Sequence, residues 1–230
     1  MIYAITDFIN QYQGELAALA GACCWAVAVS FFKKAGGTVS SSLLNFLKCL
    51  IATLMILVTV LIRDFSLPVI GIKPLLLLAV SGFIGIGIGD TAFFESLRHL
   101  GTRRSLLVGL LAPPLTGIIA FFLLGEELTL FAWLGICITA AGVAWVVSER
   151  TSDNTFHITH IGKGVSFGAL YAVGQATGAV LTRMAFMDSS FDLLWSVIIR
   201  MGGGLMFLSV WVVARKQRLP AILQTKAGYR

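Results

Sequence analysis

Charge is what this chain has least of. Only 12% of its 230 residues are Asp, Glu, Lys or Arg, while 57% are hydrophobic, against about 25% charged residues in soluble domains. With a mean hydropathy of +0.90, a water-soluble domain is excluded and a polytopic membrane protein is expected. Cysteine is scarce too: Cys23 and Cys24 are adjacent, and Cys49 and Cys137 stand alone in other apolar runs. That spacing offers neither a disulfide framework nor a zinc site, so these side chains are read as packing residues. His157 and His160 lie three apart without a further ligand nearby, so neither a metal nor a cofactor is expected. No HExxH and no clustered His/Asp set occurs, so a membrane-embedded enzyme is not expected. Residues 1–13 carry no basic residue ahead of the first apolar run, unlike a secretory signal.

The excess of basic residues, net +6, falls in short clusters between apolar runs. In that position Lys and Arg orient helices in a membrane, and no nucleic-acid partner is expected. Seven apolar runs follow one another, at about 15–32, 41–62, two within 75–124, 130–147, 162–184 and 193–214. Most approach or exceed 20 residues, enough at 1.5 Å per residue to cross a hydrocarbon core of about 30 Å. The expected fold is therefore all-α, a polytopic bundle of about seven transmembrane helices in a lipid bilayer.

The chain is organised around Leu75–Leu130, a hairpin of two apolar runs joined by the basic turn at Leu100-Gly101-Thr102. Asp90 and Glu95 lie inside its first run, and Pro113-Pro114 inside its second. A carboxylate at the bilayer centre costs about 2.5–3.5 kcal/mol on insertion scales, so Asp90 is expected to face the bundle interior or a watery cavity. The two prolines remove backbone donors and crowd the carbonyls of Gly109 and Leu110, predicting a kink or opening and a candidate hinge. The run GFIGIGIG at 82–89 has glycines like a dinucleotide loop but continues a membrane span instead of following a strand; Ser81, Gly85 and Gly89 are read as a stripe for close helix contact. Ala18, Gly21, Ala22 and Ala26 predict a similar face on the first helix.

Other polar side chains sit at membrane depth. Asn45 and Lys48 lie in the second span, Tyr171, Gln175, Thr177 and Arg183 in the sixth, and Arg200 in the seventh. Lys48 either snorkels to the interface or keeps its ammonium inside, facing an anion. Trp25 is read as a packed aromatic, with a pocket wall as the alternative. Candidate substrate-binding residues are Trp25, Asn45, Lys48, Asp90, Glu95, Tyr171, Gln175 and Arg200. Asp90 would partner a substrate amine or a coupling proton or ion.

An internal repeat organises the whole. A shift of 152 residues carries Lys48 onto Arg200, Arg63 onto Arg215, Leu67 onto Leu219 and Pro68 onto Pro220, and a slightly smaller shift carries Gly14 onto Gly162. Five helices form one unit, and a copy of an odd-numbered unit is inverted in the membrane. The expected division is a first repeat at 14–147, a polar linker at 148–161 and the first two helices of an incomplete second repeat at 162–230. A seven-helix receptor or sensor, or a non-transporting membrane scaffold, is the alternative, and the repeat argues against seven independent spans.

The motifs Leu44–Leu50 (LNFLKCL), Gly89–Leu100 (GDTAFFESLRHL), Leu111–Ala120 (LAPPLTGIIA), Leu124–Leu130 (LGEELTL) and Gly135–Val143 (GICITAAGV) resemble the EamA-type domain of the drug/metabolite transporter superfamily. The resemblance implies two inverted five-helix halves. It also implies a secondary transporter of small metabolites or drugs working by alternating access, in the plasma (inner) membrane of a prokaryote. The chain departs from that pattern in its doubled proline and in ending where an eighth helix would start, so self-association or further helices are expected to close the cavity. The resemblance implies a cytoplasmic N-terminus. The count of Lys33, Lys34, Arg98, Arg103, Arg104, Arg150, Lys163 and the basic tail on one face, against Arg63, Lys73 and Arg183 on the other, opposes it.

Overall fold

The computed structural model describes residues 11–37, 39–63, 69–148, 161–187 and 191–215. The expected linker with His157 and His160, the loop at Pro68 and the basic tail beyond Arg215 lie outside the described residues. Among the described residues every regular element is helical. These are α1 (Gln13–Ala35), α2 (Ser41–Arg63), α3 (Ile72–Gly82), a π-helical segment (Phe83–Asp90), α4 (Thr91–Gly109), α5 (Ala112–Leu124), α6 (Leu130–Ser148), α7 (Ile161–Met187) and α8 (Leu193–Ala214). Six helical stretches are long and apolar enough to cross a membrane, and α5 is a shorter apolar helix. The chain is an integral membrane protein. Outward-facing Phe122, Ile138 and Val213 are each more than 70% exposed, a surface that water would not tolerate and lipid does.

The hairpin turns where the sequence places it. Gly101 has φ +76°, inside what is otherwise continuous helix, a conformation that glycine adopts without Cβ strain. The Ser96 and Ser105 hydroxyls, nine residues apart, then lie 3.1 Å from each other, whereas nine residues of straight helix would span about 13 Å. Residues 72–100 are thus one crossing and 102–124 the next, giving seven among the described residues. The second of these breaks at Leu110-Leu111. Leu111 N–H donates back three residues to Val108, and the prolines sit at the start of α5. Position two or three of a helix needs no backbone donor, so Pro113 and Pro114 begin a new helix instead of bending an old one.

Packing concentrates on α7, which lies against α3, the π-helical segment, α4 and α5, while α8 lies against α2, α3 and the π-helical segment. Small residues make this approach close. A Cβ on Gly82 would lie 1.8 Å from the Arg200 carbonyl oxygen, and one on Gly203 would lie 2.2 Å from that of Ala79. The expected Ser81–Gly85–Gly89 stripe packs on α7, where a Cβ on Gly174 would lie 3.2 Å from Gly89 Cα. In lipid, where apolar burial supplies little drive, such contacts hold helices by dispersion and polar bonds. The first-helix stripe fares differently: Gly21 has nothing within 4 Å of where its Cβ would be, and of α1 only Val29 is buried.

Candidate functional site

Residues 83–90 form a π-helix, whose wider turn shifts each carbonyl off its usual donor. At membrane depth water cannot fill the gap, so side chains must. Asn45 on α2 donates through Nδ2 to the Ile86 carbonyl at 2.8 Å and to Thr91 Oγ1 at 3.0 Å. Thr91 in turn donates to the Gly87 carbonyl at 2.6 Å. From the other side Gln175 on α7 donates to the Gly85 carbonyl at 3.2 Å. Two amides on two different helices therefore clamp the widened backbone.

The segment ends on Asp90, which is 8% exposed. Its Oδ1 accepts from Gln175 Nε2 at 2.7 Å, and its Oδ2 pairs with the Lys48 ammonium. Lys48 therefore points inward, not to the interface. It lies three residues from Asn45, on the same face of α2, and its Nζ stands 5.5 Å from the centre of the Phe94 ring. Removing one partner from a buried pair of this kind leaves an uncompensated charge, at a cost of about 3–5 kcal/mol.

An aromatic row leads outward from this cluster. The Tyr171 ring lies 4.7 Å from that of Phe93, and Phe93 lies 5.7 Å from Trp25. Trp25 is 36% exposed, so it stands at the outer end of the row. Tyr171 also packs in the break between α4 and α5, where a Cβ on Gly109 would come within 3.0 Å of its ring. Arg200 on α8 is partly buried, and its Nε has no hydrogen-bond partner among the described residues.

The expected candidates divide cleanly. Lys48, Asp90, Gln175 and Asn45 meet at the π-helical segment, Tyr171 and Trp25 lie along the aromatic row, and Arg200 lies on the adjoining helix. Glu95 is not brought to them. It pairs with Arg98 at 3.6 Å, because five residues at about 100° each turn it some 140° away from Asp90. Arg183 is likewise at the edge, paired with Glu126 at 2.6 Å. The π-helical segment and Thr91 were not legible beforehand, since i+4 and i+5 winding give the same apolar run. The only signal was the density of glycine before an intramembrane acid.

A protein-family model described as the EamA-like transporter family matches residues 12–148. The chain belongs to that family. The match runs from α1 to α6, so Asn45, Lys48 and Asp90 fall inside it, while Tyr171, Gln175 and Arg200 lie beyond it. A relative from Archaeoglobus fulgidus described as an uncharacterized transporter is 30% identical over 140 residues, covering 61% of this chain and 50% of the relative. The EamA chain described here thus spans about half the length of the curated relative that it matches. No solved structure matches it.

Proposed function

We propose that this EamA-family chain is part of a secondary transporter that moves a small metabolite across a prokaryotic plasma membrane, with its site at the Lys48–Asp90–Gln175 cluster. The observation that carries this reading is an ion pair held at membrane depth beside a π-helical turn. Such charges are expensive and mark transport pathways and proton relays by default. Both carboxylate oxygens of Asp90 are already engaged, which favours the proton over a substrate amine as its partner. A proton on Asp90 would release Lys48 and loosen α2 from the π-helical segment.

An inverted repeat, as the 152-residue correspondence suggests, would support alternating access. α2 begins at Ser41 and α8 at Leu193, so Lys48 and Arg200 are each the eighth residue of helices that enter from opposite sides of the membrane. These two helices pack against each other. Rocking one unit against the other would exchange their surroundings, with the α4–α5 break at Pro113 and Pro114 as the hinge.

The test is saturable uptake from a metabolite panel by proteoliposomes carrying the 230-residue chain, with its oligomeric state measured alongside. Uptake is expected from a self-associated form and not from a strictly monomeric one. Absence of saturable, gradient-dependent uptake in every form would overturn the transporter reading.

A further inference from the structure

Two cations and one anion meet at the centre of the bundle. Asp90 is taken by Lys48, Glu95 pairs with Arg98, Glu126 pairs with Arg183 and Asp192 caps its own helix by accepting from Leu194 N–H at 2.6 Å. Arg200 has no ion pair of its own among the described residues and shares the field of Asp90 with Lys48, and its occluded Nε makes no hydrogen bond. An unmade bond on a buried charged donor is among the costlier defects a fold can carry. Arg200 lies about 10 Å along α8 from its first residue at 1.5 Å per residue, too deep for the ammonium-like escape of a long side chain to the headgroups.

The surroundings of the guanidinium are shaped by absent side chains. A Cβ on Gly178 would lie 3.6 Å from Arg200 Nη2, and a Cβ on Gly85 would lie 3.8 Å from it. Nη2 thus rests in a groove between the π-helical segment and α7, beside Gly85, the residue whose carbonyl Gln175 binds. Nε and Nη2 form one edge of the guanidinium, the edge that receives a carboxylate through two parallel hydrogen bonds.

We propose that this edge of Arg200 binds the carboxylate of a monoanionic substrate in the glycine-lined groove. The inference rests on the transporter reading above and names its substrate class. One surplus positive charge matches one negative charge, so a monocarboxylate leaves the filled site neutral, whereas the dianion of phosphate, which coexists with the monoanion at neutral pH, does not. The occlusion of Nε means that the carboxylate arrives when the bundle opens.

The probe is acetate, with acetamide as its neutral isostere, methylammonium as the cation and inorganic phosphate as the competing oxyanion. The readout is the midpoint of thermal unfolding of the full chain in detergent at constant ionic strength, with chloride as the reference. Acetate is expected to raise the midpoint above chloride while acetamide and methylammonium do not, and phosphate is expected to raise it less than acetate. Arg200→Gln should abolish the acetate increment. Should that variant fail to fold, Arg200→Lys, which keeps the charge and loses the fork, should weaken apparent acetate affinity about tenfold, the discrimination lost with a good bidentate contact. An acetate effect equal to that of chloride, one unchanged in Arg200→Lys, or a phosphate effect larger than that of acetate would overturn the proposal. Saturable uptake of neutral or cationic solutes without an acetate increment would overturn it and leave the transporter reading standing. An acetate increment without any uptake would uphold carboxylate binding and remove transport.

Discussion

α1 and α7 would hold the same place in the two proposed repeats, yet their surroundings have little in common. α7 is wrapped by α3, the π-helical segment, α4 and α5, with Gly164, Gly168, Ala172, Gly174, Ala176 and Gly178 buried along it. α1 leans on α4 and buries Val29 alone, although Ala18, Gly21, Ala22 and Ala26 give it a small-residue face of the same type. A stripe of small residues thus permits close packing without creating it. What fixes α7 is the polar work done from it: Gln175 binds both the Gly85 carbonyl and Asp90, and Thr182 lies 3.2 Å from Ser81.

The contrast can be broken most severely on the α7–α8 side. Gly82→Ala sets a Cβ against the Arg200 backbone, which cannot yield as a side chain can, so a loss of about 3 kcal/mol or more is expected, at the upper end of overpacking costs. Titration of helicity with denaturing detergent would measure it, and a variant as stable as the parent would show that α3 and α8 do not touch there. Gln175→Ala removes the amide that serves both the π-helical backbone and Asp90. An expected loss of about 1–3 kcal/mol follows from leaving those acceptors bare, read in the same titration. At the membrane edge the Arg183–Glu126 pair, 61% and 33% exposed, should contribute at most about 1 kcal/mol and fade with salt. Glu126→Gln compared at low and high ionic strength would reveal it. Gly21→Ala on α1 should not lower the stability of the chain and should raise it by at most about 1 kcal/mol, the helix propensity gained, since nothing stands within 4 Å. A large effect in a self-associated sample, absent from a monomeric one, would instead place this face in a contact between copies.

The crossings were readable because lipid demands one thing of a helix, length without charge. Gly101 announced the hairpin, since a glycine between Leu100 and Thr102 amid basic residues marks a headgroup turn. The doubled proline announced a discontinuity, and the structure resolves it as a helix end at Gly109 and a fresh start at Ala112. Asp90 and Lys48 were each suspect through cost alone. That they meet each other was not legible, because pairing across 42 residues is a tertiary fact. Nor did the sequence distinguish Glu95 from Asp90 except by counting turns, and the π winding that sets Asp90 leaves no mark on apolar periodicity. The small-residue rule worked for Ser81, Gly85 and Gly89 and found no neighbour at Gly21, because composition says which face can pack and not whether a partner is there.

The most direct test of the central cluster is uptake by proteoliposomes carrying Asp90→Asn beside the parent chain, at equal inserted protein and in the same state of association, with Gly21→Ala as the reference for a change on α1. Asparagine keeps the shape and the contact with Gln175 but removes the charge that holds Lys48. Gradient-dependent uptake is expected to be lost in Asp90→Asn and kept in Gly21→Ala. Undiminished uptake by Asp90→Asn would contradict a transport site built on Asp90 at the end of the π-helical segment.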